Sequence, residues 1–226
     1  MSATNIKLQW DQVGQRRFEA GVDRGVLFPM TNGVYGNGVA WNGLTGVSVS
    51  PEGADATDLW ADNLKYATMR SAETVGATIE AYTYPDEWNE CDGSAAVATG
   101  VYLHQQTRKT FGFCWRTMIG DDTHTDMSAG YKLHFLYGCT ASPSETSYET
   151  INDSPDAMTF SWEIDTTPVT VSGYKPTAYI SIDSTEADET KLTTLEQAIY
   201  GTPAGDGTAA IEPRLPLPSE IITMFA

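Results

Sequence analysis

The chain has 226 residues and a formal net charge of −17, because 13 Lys and Arg stand against 30 Asp and Glu. This shortage of cations argues against nucleic-acid binding, which needs positively charged side chains to contact phosphate. Disorder is also excluded, since 41% of the residues are hydrophobic and 11% are aromatic. We predict one domain over residues 1–226, long enough to bury a core without disulfide or metal staples.

The cysteines and the start of the chain indicate the compartment. Three cysteines leave at least one thiol unpaired, which suits a reducing environment, and we expect Cys114 and Cys139 in the core or an interface. The sequence opens without a signal peptide and has no apolar run of transmembrane length. We therefore expect synthesis in the cytoplasm, no membrane partner, and no glycosylation of the Asn152-Asp153-Ser154 sequon.

Residues 1–15 are predicted to form an N-terminal arm. Ile6, Leu8 and Trp10 lie on one side of an extended segment that shows no other strong periodicity. This apolar side would be exposed on a monomer, so we expect the arm to dock on another surface.

Residues 51–72 are predicted to be a long loop of unusual composition. A connection of this length between strands is uncommon and often functional. Its apolar side chains are too numerous for a solvated loop. It is either a flap or helical turn folded onto its own domain, or an arm that buries them in a neighbouring subunit. The residues predicted to contact that subunit are Asp58, Trp60, Leu64, Tyr66, Met69 and Arg70.

The clearest strand runs from Val75 to Tyr84. Apolar residues at odd positions alternate with mostly polar residues at even positions, which is the pattern of a half-buried strand. Pro85 ends the strand because proline has no amide hydrogen to donate to a ladder. The apolar positions are Val75, Ala77, Ile79 and Ala81.

Further segments alternate in the same way and predict antiparallel strands packed over one core. One helix is predicted from about residue 186 to 200, with Leu192, Leu195 and Ile199 on one face. Residues 202–226 are predicted to be a C-terminal extension that ends in an apolar tail. The predicted fold class is therefore mainly β, an antiparallel sandwich or barrel with one α-helix and extended arms and loops.

We find no motif for catalysis or for cofactor binding, so we expect a protein that is not an enzyme and has no cofactor or metal. The segment from Asp121 to Asp126 contains His124, but its spacing matches no zinc or calcium loop, and a solvated turn is expected. His134 lies next to Lys132 on a polar strand face, so we expect it at the surface or in an interface.

Aromatic residues leave a second function open. Trp60, Tyr82, Tyr84 and Trp88 could form the carbohydrate-binding face of a monomeric β-sandwich. Contact between subunits is the commoner use of such residues when they lie beside a long loop.

An ordered set of short stretches resembles the major tail protein, or tail tube protein, family of long-tailed phages of Gram-positive bacteria. The resemblance runs from about residue 10 to the C-terminus, and its most specific parts are A-D-N-L-K-Y and Y-T-Y-P-D-E-W. The order of the set carries the resemblance, since no single residue is diagnostic. The stretches are Gly21–Pro29, Val39–Thr45, Leu59–Ala67, Ile79–Trp88, Cys91-Asp92-Gly93, Phe111–Thr117, Tyr131–Gly138 and Thr150–Glu163.

The resemblance implies a β-sandwich with one helix that assembles as hexameric rings stacked into a hollow tube. Adjacent sheets would close into a continuous barrel, and genomic DNA would pass through the lumen without specific binding. The protein would contact itself and other tail proteins, and would be located in the virion tail after assembly in the host cytoplasm. The family's long inter-subunit loop corresponds to residues 51–72 of this chain.

A lumen of this kind would benefit from acidic side chains, which repel phosphate and let DNA slide. If the 75–84 and 158–165 strands face the bore, their polar residues line it once the apolar residues enter the core. The acidic residues expected to face the lumen are Glu80, Glu163 and Asp165.

Overall fold

The computed structural model describes residues 7–53, 55–71, 73–148, 150–151, 157–205 and 209–226. These residues contain thirteen strands and three α-helices, so the mainly-β prediction is confirmed. The remainder of the predicted N-terminal arm, residues 7–15, forms neither helix nor strand. Residues 1–6 of that arm and the Asn152-Asp153-Ser154 sequon lie outside the described residues.

The strands lie between residues 18 and 183, and two of the three helices follow them near the C-terminus. The strands are β1 (Phe18–Thr31), β2 (Val34–Tyr35), β3 (Val39–Trp41), β4 (Leu44–Gly53), β5 (Ala56–Ala61), β6 (Leu64–Arg70), β7 (Glu73–Ala81), β8 (Ala95–Ala98), β9 (Val101–Leu103), β10 (Phe111–Gly120), β11 (Gly130–Ala141), β12 (Phe160–Thr166) and β13 (Tyr179–Asp183). The helices are α1 (Trp88–Cys91), α2 (Glu189–Tyr200) and α3 (Pro218–Phe225).

Nine strands form one sheet whose main path runs β2-β1-β10-β11-β12-β7-β4, with β13 paired to β11 and β3 paired to β1. All of these pairs are antiparallel. The sheet curls far enough for its ends to meet, since a side chain at Gly25 of β1 would collide with Leu44 of β4. The result is a barrel-like sheet with an inner and an outer face.

The inner face encloses an aromatic core. Trp41 contacts the rings of Trp88, Phe113 and Trp162 at centroid distances of 4.7, 5.5 and 5.5 Å. Such aromatic pairs contribute about 0.5–1.5 kcal/mol each beyond the area they bury. The indole nitrogen of Trp41 donates a 2.8 Å hydrogen bond to the Thr83 carbonyl, so the polar atom of this buried ring is paired.

A second core lies on the outer face of β1, β10 and β11. Phe28, Phe135 and Tyr137 pack there with Leu195 of α2 and Ile221 of α3. The prediction of a single core is therefore wrong. The central strands are buried on both faces, which explains why β10 is an almost unbroken apolar run.

Strand β7 has the alternation that its sequence predicts. Ala77, Ile79 and Ala81 are buried, whereas Glu80 is exposed and Thr78 is half-buried. β7 lies between β12 and β4 and ends at Ala81, three residues before the predicted end.

The predicted helix is confirmed as α2. Asp188 caps its start by accepting a 3.0 Å hydrogen bond from the Lys191 amide. The prediction of only one helix is wrong, because α1 and α3 are also present. α3 contains most of the apolar tail of the predicted C-terminal extension, and Pro218 stands at its start, where a missing amide hydrogen has no cost.

Candidate functional site

Residues 51–72 contain a projecting β-hairpin in place of the predicted loop. β4 continues to Gly53, and β5 and β6 then pair in a separate two-stranded sheet. Asp62 and Asn63 form its turn with φ of 50° and 61°, values that the right-handed twist of a two-residue hairpin turn requires. All described side chains of β5 and β6 are exposed, so the interpretation as a flap folded onto its own domain is wrong.

Strand register gives this hairpin one apolar face. Leu59 pairs with Ala67, Thr57 pairs with Met69, and Ala61 pairs with Leu64 across the ladder. Directly opposed residues in a sheet share a face, so these six side chains lie together. Leu64 is 70% exposed and Met69 is 60% exposed, which leaves a continuous apolar strip in water.

The other face of the hairpin is mainly polar and held by ionic contacts, and Trp60 also lies on it, opposite Lys65. Lys65 Nζ lies 2.7 Å from Asp58 Oδ1, and the Thr68 hydroxyl donates to the same oxygen at 2.8 Å. These two hydrogen bonds lower the pKa of Asp58. Arg70, at the base of the hairpin, pairs with Ala56 on this face. Trp60 and Tyr66, the other predicted contact residues, are 69% and 77% exposed.

The three predicted acidic lumen residues share one outward face of the main sheet. Glu80 lies opposite Ser161, Glu163 opposite Thr78, and Asp165 opposite Gly76. All three carboxylates are exposed, and the alternate residues of the same strands enter the aromatic core. Sequence alternation therefore predicts their common face.

This acidic face extends onto β4 and carries no cationic side chain from its strands. The sequences of β4, β7 and β12 contain no lysine or arginine. Beside the carboxylates stand the small hydroxyl side chains of Ser48, Ser50 and Ser161, all exposed. The Ser142 hydroxyl donates a 2.6 Å hydrogen bond to Asp165. The surface is thus negatively charged, with small hydroxyl side chains between the carboxylates.

A second exposed hairpin, β8–β9, is absent from the sequence-based predictions. Ala95 pairs with Leu103 and Ala98 with Val101, and the segment from 95 to 103 contains no charged residue. Val97 and Leu103 are 57% and 52% exposed. Because these short strands consist mostly of alanine and valine, their sequence shows little alternation between apolar and polar residues. The usable signal is the Gly100 turn between two apolar runs, where φ is 75°.

The aromatic residues proposed for a carbohydrate-binding face do not form one surface in the structure. Trp88 is fully buried against Trp41, Phe111 and Trp162, so it cannot face a ligand. Trp60 lies on the hairpin that precedes β7, whereas Tyr82 follows the other end of β7.

His134 is buried, which corrects the expected surface position. Only 6% of it is accessible, and its ring stacks on Trp115 at a centroid distance of 5.0 Å. Its two nitrogens hydrogen-bond to the Tyr179 hydroxyl at 2.7 Å and the Thr117 hydroxyl at 2.8 Å. His134 is therefore a structural side chain between strands.

The remaining sequence candidates make internal contacts. Asp121 accepts hydrogen bonds from the Thr123 and His124 amides, so this segment is a self-bonded turn. Among the described residues, no three His, Cys, Asp or Glu side chains are grouped to hold a metal. All three cysteines are buried and unpaired, which confirms the core placement of Cys114 and Cys139. No helix in the described ranges is both long and apolar enough to cross a membrane.

Comparisons with known proteins give only distant structural likenesses. No protein-family model matches the chain, and no curated protein matches it. Among solved structures, the chain is similar to one from the cryo-EM structure of the PVC sheath-tube complex, an extracellular contractile injection system in its extended state. The identity is 10%, the TM-score is 0.30, and the match covers 71% of this chain and 88% of that chain. A TM-score of this size does not establish a common fold.

Proposed function

We propose that the protein is a structural subunit of a phage tail tube and that it works without a chemical step. Copies of the chain would assemble as hexameric rings that stack into a hollow tube in the virion tail. Genomic DNA would pass through the lumen during ejection into the host. The ordered sequence resemblance to tail tube proteins motivates this proposal.

The observation that carries the proposal is the exposed apolar strip of the β5–β6 hairpin. Leu59, Leu64 and Met69 are exposed on a hairpin that packs no side chain into its own core. An isolated two-stranded hairpin is marginal in water, and exposed apolar strips of this kind mark interaction sites. The hairpin therefore needs a partner surface, and a self-assembling subunit supplies one in every neighbour.

The acidic face supports the second half of the proposal. A conduit for DNA must not bind phosphate, and a surface with carboxylates and hydroxyls but without cations repels it. Glu80, Glu163 and Asp165 would each be repeated around a ring, so the bore would carry a continuous negative potential. A surface of this kind does not suit a protein that binds polyanions, because its strands offer no cation to contact phosphate.

Two substitutions on the apolar strip test the assembly. We expect Leu64→Ser with Met69→Ser to reduce the assembled fraction at least about tenfold, because side chains at the centre of an interface carry much of its binding energy. The melting temperature of the unassembled protein should not change, since both side chains are exposed. Assembly is measured by light scattering and negative-stain microscopy of the purified protein.

A matched control uses two exposed apolar residues elsewhere. Ile151 and Tyr174 are 82% and 70% exposed, so Ile151→Ser with Tyr174→Ser removes similar apolar area. We expect this variant to assemble as the unchanged protein does. Normal assembly of the Leu64→Ser, Met69→Ser variant would show that the hairpin is not an assembly element.

A further inference from the structure

We propose that the β5–β6 hairpin of one copy docks into a groove beside the β8–β9 hairpin of the next copy, head to tail. The groove has a volume of about 660 Å³. Its lining comes from α1 and the residues before it, from parts of β8 and β9 with the residues that follow them, and from β1, β3 and the segment between them. This inference rests on the proposed self-assembly and names the surface that receives the hairpin.

The two hairpins emerge from opposite ends of the same strand. β6 ends at Arg70, just before β7 begins at Glu73, so the β5–β6 hairpin projects from the start of β7. β7 ends at Ala81, and α1 and the β8–β9 hairpin follow it. Nine residues of strand span roughly 30 Å, so one copy cannot bring these surfaces together without folding its hairpin back. The exposed side chains of β5 and β6 show that it does not fold back.

The two surfaces have complementary apolar parts. The hairpin offers Leu59, Leu64 and Met69 on one face, and the part of β8–β9 that lines the groove offers Ala95, Ala96 and Tyr102, none of which is charged. Each is an isolated two-stranded sheet, and a third and fourth strand with a shared apolar face would stabilise both.

Their charges are also complementary. The lining of the groove includes Asp86, Glu87 and Glu90, and all three are exposed. Glu90 forms an ion pair with Lys109, so the excess negative charge of this lining comes from Asp86 and Glu87. The polar face of the hairpin ends in Arg70, which is exposed at its base. A hairpin that lays its apolar strip against β8–β9 would direct Arg70 toward these carboxylates.

A contact between two different surfaces of the same chain has a consequence for assembly. It is heterologous, so a docked pair still has one free groove on one copy and one free hairpin on the other. Docking can then repeat along a stack, which a symmetric hairpin-to-hairpin contact would not allow. The placement of the two surfaces at opposite ends of β7 therefore favours an open, growing polymer.

Engineered cysteines test the joint directly. One preparation carries Leu59→Cys, and a second carries Ala96→Cys at an exposed position that lines the groove. The two are mixed and oxidised under assembly conditions. We expect the mixture to give at least about tenfold more disulfide-linked dimer than either preparation alone, because docking raises the local thiol concentration. The native cysteines should not interfere, since all three are buried and burial raises the pKa of Cys91 to about 12.

The control replaces the groove cysteine with Tyr174→Cys, which is also exposed but lies far from β8 and β9 in the sequence. A mixture of Leu59→Cys with Tyr174→Cys should cross-link no more than either alone. Dimers from Leu59→Cys alone would indicate a symmetric contact and overturn the proposal. Tubes that form without the mixed cross-link would also overturn it while leaving the proposed function intact. A protein that stays monomeric would overturn both.

A charge exchange gives an independent check that does not depend on oxidation. Arg70→Glu should raise the critical concentration for assembly about tenfold, because like charges then face each other across the joint. Adding Glu87→Arg to the same chain should recover most of that loss, since every joint then contains the reversed pair. Failure of the second change to recover assembly would contradict the predicted contact.

Discussion

His134 is the buried titratable group whose surroundings are most fully defined. It stacks on Trp115 and hydrogen-bonds to Tyr179 and Thr117, while Glu19 Oε1 lies 3.4 Å from its Nε2. Burial lowers the pKa of His134, although the nearby Glu19 carboxylate opposes this effect. Glu19 itself is held by a 2.8 Å ion pair with Lys132.

The lowered pKa of His134 predicts how the stability of the protein depends on pH. The unfolded chain binds the imidazole proton near pH 6.5, whereas the folded chain binds it only at lower pH. The contribution of His134 to the free energy of unfolding should therefore be fully present above pH 6.5. It should be lost as the pH drops from there through the folded pKa of His134, by at most about 1.4 kcal/mol per pH unit. Urea denaturation of the unassembled protein at pH 7.5 and 5.5 measures this loss.

A pair of variants assigns the loss to His134. His134→Gln should remove most of the dependence in this window, whereas His124→Gln, on an exposed turn, should keep it. The pKa values of Glu19 and Asp23 are lowered from ordinary values of 4.5 and 3.8, so these carboxylates add their own loss only at more acidic pH. An unchanged slope in His134→Gln would rule out this origin.

At the scale of elements, α3 closes the second core and gives a stability prediction with a neighbouring control. Ile221 is 4% exposed and packs in that core, whereas Ile222 is 39% exposed. Ile221→Ala should lower the free energy of unfolding by about 2–5 kcal/mol through lost burial and a residual cavity. Ile222→Ala should cost less than about 1 kcal/mol. Equal losses measured by urea denaturation would show that α3 does not pack as described.

The same helix shows why some elements escape sequence-based prediction. α3 follows a Pro-rich segment and spans only eight residues, so too few turns exist for a helical period to stand out. α2 is longer, has a clear apolar face and begins at a capping aspartate, so its sequence predicts it. Local signals are sufficient where an element is long and bounded by caps or breakers.

The sheet shows a different limit. Alternation predicts β7 and the common face of Glu80, Glu163 and Asp165, because the sequence of a half-buried strand alternates between apolar and polar residues. It cannot reveal that β10 and β11 are buried on both faces, since that depends on helices from the far end of the chain. The sequence predicts the β5–β6 hairpin only as an apolar loop, because its turn is Asp62-Asn63 and lacks the usual glycine.

At the scale of the whole molecule, the net charge of −17 is unevenly placed. The strands β4, β7 and β12 have carboxylates without cations, whereas β1, β10 and β11 include Arg24, Arg116 and Lys132. Arg116 and Lys132 are paired with Asp23 and Glu19 of the same chain. Part of the unbalanced negative charge thus lies on a separate face, which we propose lines the bore.

The central claim is that copies of this chain form a tube whose bore is lined by that acidic face. Electron cryo-microscopy of the purified, assembled protein, at a resolution that shows side chains, tests it most directly. We expect a hollow tube of stacked six-membered rings with β4, β7 and β12 around the lumen and Glu80, Glu163 and Asp165 directed into it. A protein that stays monomeric at high concentration, or a tube with these three carboxylates on its outer surface, would contradict it.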